Sequence, residues 1–149
     1  MGNLEDILSK GSTRGQESKL PYAGALTPQE TYTLIDQGEA VFLVDVRSRA
    51  ELELVGRVPL AKHIEWASYP GMVPNPDFAA QLQTQVDKHN TVIFMCRTGG
   101  RSHNAALLAQ QLGYSKAYNM LEGFEGEANE FKQRTLINGW KHAGLPWNN

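Results

Sequence analysis

The chain has one cysteine among its 149 residues. That rules out an internal disulfide and any paired-cysteine metal spacing. No apolar run approaches the length of a membrane-spanning helix. The opening Met1 to Asp6 has neither a basic stretch nor an apolar one, so no secretory signal is expected, and Asp6 stands where a myristoylation signal carries Ser or Thr. The formal net charge is only −2, without a long basic block, which leaves no footprint for nucleic acid and no membrane-binding face. There is no internal repeat. These absences fit a reducing, cytoplasmic setting. An apolar content of 41% over this length is enough for one domain with a real core.

The lone cysteine stands in the most informative stretch. Thr91-Val92-Ile93-Phe94-Met95 reads as a buried strand, and His103 to Gly113 reads as a helix closed by glycine. Between them lies Cys96-Arg97-Thr98-Gly99-Gly100-Arg101-Ser102. A Gly-rich turn of this kind directs successive backbone N–H groups inward as an anion nest, and the helix N-terminus adds to the same positive field. A solitary cysteine is most often a small buried hydrophobe. Two arginines and two adjacent glycines are more than a core position needs, and together they favour a thiolate nucleophile at Cys96.

The rest of the chain reads as alternating strands and helices. Residues 1–20 form a flexible or frayed leading segment in which Leu4, Ile7 and Leu8 have helical spacing, so a short helix or docking segment is open there. Residues 21–149 form a single domain. Leu20 to Ala25 fits an edge strand. Thr27-Pro28-Gln29-Glu30 and Ser48-Arg49-Ala50-Glu51 are capping boxes opening two helices, which stop at Gly38 and near Gly56. Ala40 to Val46 is a continuous apolar strand. Val58 to Ile64 is a loop leading to a short strand, and Glu65 to Pro76, with three prolines, is a long surface loop. Asp77 to His89 is a helix with Phe78, Leu82 and Val86 on one stripe. Ala117 to Leu121 is a late strand. Glu127 to His142 is expected to be a helix whose Phe131, Ile137 and Trp140 belong to the core, and Gly144-Leu145-Pro146 stops it. The pattern argues for an α/β domain with a mainly parallel central sheet flanked by helices on both faces. Asp45-Val46-Arg47, Cys96 and Leu121-Glu122-Gly123 should then align at one carboxyl edge.

Taken in order, these motifs resemble the rhodanese family in its single-domain bacterial form. The resemblance rests on Asp45-Val46-Arg47, on Glu51 followed by Gly56 to Ile64, on Cys96 to Ser102, on Leu121-Glu122-Gly123 and on Gly144-Leu145-Pro146. It implies a rhodanese-like fold and transfer of a sulfane sulfur through a Cys96 persulfide. Three positions depart from the family pattern. Phe124 replaces a second glycine, Arg57 stands where histidine is frequent, and residues 125–138 form an insertion.

The implied reaction is thiosulfate:cyanide sulfurtransferase chemistry, with a small anionic donor such as thiosulfate and a thiol or cyanide-like acceptor, a protein thiol included. No cofactor and no metal are called for. Arg97, Thr98, Gly99, Gly100, Arg101 and Ser102 would bind the substrate around catalytic Cys96. One arginine is expected to hold donor oxygens and the other to organise the loop. Ser102 is either a hydroxyl donor or a helix cap. Asp45 and Arg47 support the loop from behind or simply turn the strand end. His103 is expected to be a solvated first-turn histidine, and His63 and Trp66 either line the mouth or pack the loop. Two other classes compete: a persulfide carrier or docking module, and a cysteine phosphatase or arsenate reductase. The last places five residues between Cys and Arg, whereas four lie between Cys96 and Arg101; the tighter cradle suits a sulfur atom.

Overall fold

The computed structural model describes residues 2–38, 40–68 and 71–148. Among the described residues seven strands and five helices follow one another as α1 (Gly2–Glu17), β1 (Gly24–Leu26), α2 (Pro28–Gln37), β2 (Val41–Asp45), α3 (Arg49–Val55), β3 (Lys62–His63), β4 (Ala67–Ser68), β5 (Val73–Pro74), α4 (Phe78–Gln85), β6 (Thr91–Met95), α5 (Gly100–Gln111) and β7 (Ala117–Met120). Five of the strands form a parallel sheet in the order β1-β7-β6-β2-β3. The alternating pattern of the sequence therefore does yield the expected α/β architecture. Both capping boxes form. Thr27 Oγ1 accepts the Glu30 N–H while Glu30 returns the bond to the Thr27 N–H, and Ser48 with Glu51 repeats the arrangement.

The period-two alternation of β2 and β6 divides the core into two layers. Val44, Val92 and Phe94 pack with Phe78 and Leu82 of α4 and with Ala105, Ala106 and Ala109 of α5. Leu43, Ile93 and Met95 point to the opposite layer, against Leu34 of α2, Met120 and Trp140. Cys96 continues the first register, so its side chain faces α5. The three motif-bearing strand ends are neighbours, since β7, β6 and β2 are adjacent. The Phe124 N–H donates to the Cys96 carbonyl at 2.8 Å and the Val46 N–H to the Met95 carbonyl at 2.8 Å.

The leading segment, expected to be frayed or docking, forms the sixteen-residue helix α1, seated on β1 and α2. Its seat is made without side chains at the closest point. A Cβ on Gly24 would lie 2.2 Å from the Gly11 carbonyl oxygen, and one on Gly15 would lie 2.7 Å from Gly24 Cα. Arg14 ties the helix down through Glu30 and the Ala25 carbonyl. The loop read over 65–76 contains the small antiparallel hairpin β4–β5; Tyr69 and Pro70 of that stretch lie outside the described residues.

One element differs from expectation. Residues 127–142 form successive turns rather than a helix. Lys132, Thr135 and Gly139 all have positive φ, a conformation that interrupts a right-handed helix. Gly126 and Gly139 approach each other so closely that a Cβ on Gly139 would meet the Gly126 nitrogen at 2.7 Å. Of the apolar stripe assigned to the core, only Trp140 is buried (0% exposed), while Phe131 and Ile137 are 72% and 45% exposed. Among the described residues no helix is long and apolar enough to cross a membrane.

Candidate active site

The loop from Cys96 to Gly99 leaves β6 and enters α5 through Gly99, whose φ of +116° is a left-handed conformation that suits glycine. That turn brings the Gly99 N–H to 3.1 Å from Cys96 Sγ. Of the row of N–H groups from Arg97 to Ser102 expected to face the sulfur, Gly99's is the one at hydrogen-bond distance among the described residues. Gly100 is the first residue of α5, with open space where a Cβ would stand. Ser102 is buried in the first turn. Its Oγ lies 3.4 Å from Cys96 Sγ and 2.6 Å from Asn119 Oδ1. Cys96 itself is 1% exposed.

The two arginines have different surroundings. Arg101 is clamped by Glu51 in a bidentate pair, Nη1 to Oε1 at 2.6 Å and Nη2 to Oε2 at 2.8 Å. The same carboxylate accepts the Ser48 N–H and hydroxyl, so one side chain both caps α3 and holds the loop. Arg97 is exposed, and its guanidinium makes no hydrogen bond among the described residues. Its carbonyl is pinned instead by the N–H groups of Glu125 and Gly126. Thr98 is exposed as well. Arg97 and Arg101 line a cavity of about 400 Å³ with Glu51, Val55, Met72 and Glu125.

Burial works against ionisation of Glu51, but the Arg101 hydrogen bonds and charge and the Ser48 contacts outweigh it and hold the carboxyl at about 2, below its ordinary 4.5. A depressed carboxyl contributes stability that is complete above the unfolded value and is lost as pH falls through the folded one. With the side chains 18% and 20% exposed, solvent screening trims the contribution to about 1–2 kcal/mol. Glu51→Gln, which keeps the cap but removes the charge, should lower stability at pH 7 by that amount. The difference should shrink as pH is lowered from about 4.5 toward 2. Urea unfolding across that range measures both, and a constant gap would show that the charge contributes nothing.

Asp45 and Arg47 pair with each other. Arg47 Nη2 reaches Asp45 Oδ2 at 2.6 Å and both residues are buried. Nη2 also donates to the Gly56 carbonyl, and the guanidinium lies 4.1 Å from the centre of the Phe124 ring. This accounts for the aromatic residue in the place of a second glycine. Phe124 rests on a buried cation, is flanked at its edge by Trp147, and presents its N–H to Cys96. Arg57, another departure, exchanges backbone hydrogen bonds with Asn148.

Neither His63 nor Trp66 lines the cavity beside Arg97 and Arg101. His63 Nε2 donates to the Arg47 carbonyl at 2.8 Å, and Trp66 meets the Phe78 ring edge-on. His103, expected to be solvated, is half-buried and hydrogen-bonded through Nδ1 to the hydroxyl of Tyr22. Burial pushes that hydroxyl up to about 12, opposed by the nearby Asn119 amide. Three residues to which the sequence alone gives no role at the site therefore enter it. Tyr22 and Asn119 carried no local signal. Glu51 reads from the sequence as a helix cap and as part of the family motif, not as the partner of Arg101, which is fifty positions away.

The comparisons with known proteins agree with this geometry. A model of the rhodanese-like domain matches residues 27–130. An uncharacterized protein of Rickettsia conorii is 36% identical over 120 residues, covering 79% of this chain and 91% of its own length. The thiosulfate sulfurtransferase GlpE of Actinobacillus succinogenes is 30% identical over 121 residues, covering 81% and 86%. A crystal structure of a protein from M. tuberculosis superposes with a TM-score of 0.79 at 37% identity, over 85% of this chain and 98% of that one. The family match spans the cysteine loop and strands β2, β3, β6 and β7, and the chain belongs to the family of rhodanese-like domains.

Proposed function

We propose that this protein is a sulfurtransferase that carries a sulfane sulfur on Cys96 from an anionic donor such as thiosulfate to a thiophilic acceptor. The observation that supports this most directly is the Gly99 N–H placed 3.1 Å from Cys96 Sγ by a left-handed glycine. It is a fixed donor at the atom on which negative charge resides. Arg97 is the donor-binding arginine, because its guanidinium is uncommitted and lines the cavity. Arg101 organises the loop, because both of its terminal nitrogens are taken by Glu51. Asp45 and Arg47 hold the strand end beneath Phe124.

In the first half-reaction the Cys96 thiolate attacks the outer sulfur of thiosulfate. A sulfur–sulfur bond forms to Cys96, the donor's sulfur–sulfur bond breaks, and sulfite leaves with the electron pair. In the second, cyanide or a thiolate attacks the terminal persulfide sulfur and Cys96 departs as the thiolate. No net oxidation occurs, and the cycle is ping-pong.

Intact mass spectrometry tests the proposal. Wild-type protein incubated with thiosulfate should gain the mass of one sulfur atom, lose it on addition of cyanide and yield thiocyanate. Release of phosphate from an aryl phosphate should stay at background. Absence of sulfur uptake, or phosphate release at enzymatic rates, would overturn the reading.

A further inference from the structure

The geometry points to Asn119 as a positioning residue for the sulfur of Cys96, acting through the single hydroxyl hydrogen of Ser102. Cys96 is taken here as the sulfur carrier proposed above. Ser102 Oγ stands between two acceptors, Asn119 Oδ1 at 2.6 Å and Cys96 Sγ at 3.4 Å. The orientation of the amide follows from its other contact. Asn119 Nδ2 donates to the Gly99 carbonyl at 3.3 Å, so the oxygen is the atom facing Ser102. An amide oxygen only accepts, and Ser102 has only one hydrogen to give. With Cys96 as a thiol, that hydrogen lies toward Asn119, and the S–H can point at a lone pair of Ser102.

A thiolate reverses the demand. It accepts from the Gly99 N–H already in place, and the remaining neighbouring hydroxyl is the one held by Asn119. The Ser102 hydrogen turns to the sulfur only by leaving Asn119 Oδ1 without it. Asn119 does not yield by moving, because it sits within β7, paired with Ala25 of β1 and Phe94 of β6. The net benefit of Ser102 to the sulfur anion is therefore reduced by the hydrogen bond Asn119 gives up. The same amide joins the Gly99 carbonyl to Ser102, so both hydrogen-bond donors at the sulfur are referred to one strand position. None of this was assigned to Asn119 by its place in the sequence.

The charged and titratable groups around the loop are Arg97 and Arg101, Glu51 from α3, Asp45 and Arg47 at the end of β2, His103 on α5, Tyr22 ahead of β1, and Glu122 and Glu125 after β7. None of these is substituted in the variants that follow, and comparing the Ser102 and Ser102→Ala backgrounds separates the hydroxyl from the other contacts of Asn119, to the Tyr22 hydroxyl and the Gly99 carbonyl. The rate of alkylation of the full chain by iodoacetamide is measured against pH. Ser102→Ala should move the midpoint up by about one pH unit, since the anion loses a donor. Asn119→Ala should move it down by about half a unit, since the hydroxyl no longer has a competing acceptor. The double variant should have the Ser102→Ala midpoint. A shift of equal size from Asn119→Ala in both backgrounds, no shift, or an upward one would overturn the proposal, because Asn119 would then act on the sulfur without Ser102.

Asn119→Asp keeps the size of the side chain and strengthens the pull on the hydroxyl, and it serves if the alanine variant does not fold. Its midpoint should rise more in the Ser102 background than in the Ser102→Ala background, and an equal rise would overturn the proposal. Alkylation needs no sulfur transfer. A protein that took up no sulfur from thiosulfate would refute the function proposed above while still reporting on this exchange.

Discussion

Cys96→Ala protein is expected to fold and to take up no sulfur from thiosulfate, with sulfur transfer to cyanide falling to the uncatalysed background. The side chain belongs to the layer packed against α5, so removing one sulfur atom should lower stability by only about 1 kcal/mol. Loss of activity would then have a chemical cause, because the proposed cycle has no other atom that can hold the transferred sulfur. The chain contains no second cysteine to substitute for it. Activity and thermal unfolding measured on the same preparation separate the two effects. An alanine variant that still gains one sulfur and still makes thiocyanate would remove Cys96 from the mechanism. A variant that unfolds would call for Cys96→Ser, which keeps the volume but should be equally inactive.

The second large effect is expected at a glycine outside the loop. A Cβ on Gly123 would lie 2.3 Å from the Arg97 carbonyl oxygen, 2.4 Å from its carbon and 2.6 Å from the Thr98 nitrogen, and the residue has a φ of +72°. All three contacts are to backbone, so no side chain can rotate to make room. Gly123→Ala should displace the loop by roughly 1 Å, and misplacement on that scale costs on the order of 100-fold in rate. Gly100→Ala is the internal control. Its Cβ meets nothing within 4 Å and the position is helical, so activity should stay near wild type and stability should rise by about 0.5–1 kcal/mol. Gly99→Ala should fall between them, since its space is open but its φ is not. Steady-state kinetics of the three variants test this order. Equal activity in Gly123→Ala and Gly100→Ala would show that the approach of residue 123 to the loop is not needed.

What the sequence made legible was local. The two capping boxes form because each is closed within four residues, and β6 is buried because five successive side chains suit a covered parallel strand. The cysteine loop was legible because its glycines and arginines are consecutive. The long-range choices were not. Nothing near Arg101 says that its partner is Glu51 rather than a substrate, and nothing near Asn119 says that it will meet Ser102. The insertion misled for a related reason. Phe131, Ile137 and Trp140 invite a helix, yet the close approach of Gly126 and Gly139 dictates turns, and an approach of that kind between residues far apart leaves no periodic mark. The buried Arg47 beneath Phe124 likewise explains a departure from the family pattern only once the two are seen stacked.

The seat of α1 bears on the order in which the chain can assemble. In the sheet β1 has a single neighbour, β7, with Gly24 opposite Tyr118. During synthesis the first helix and strand emerge about ninety residues before the segment that gives them a place in the sheet. Pairings so distant in sequence form slowly, because loop closure comes before any contact is gained. The pairing of β2 with β6 closes a loop about half as long. The central strands that carry Cys96 can therefore come together while β1, with α1 seated on it and on α2, still waits at the margin of the sheet.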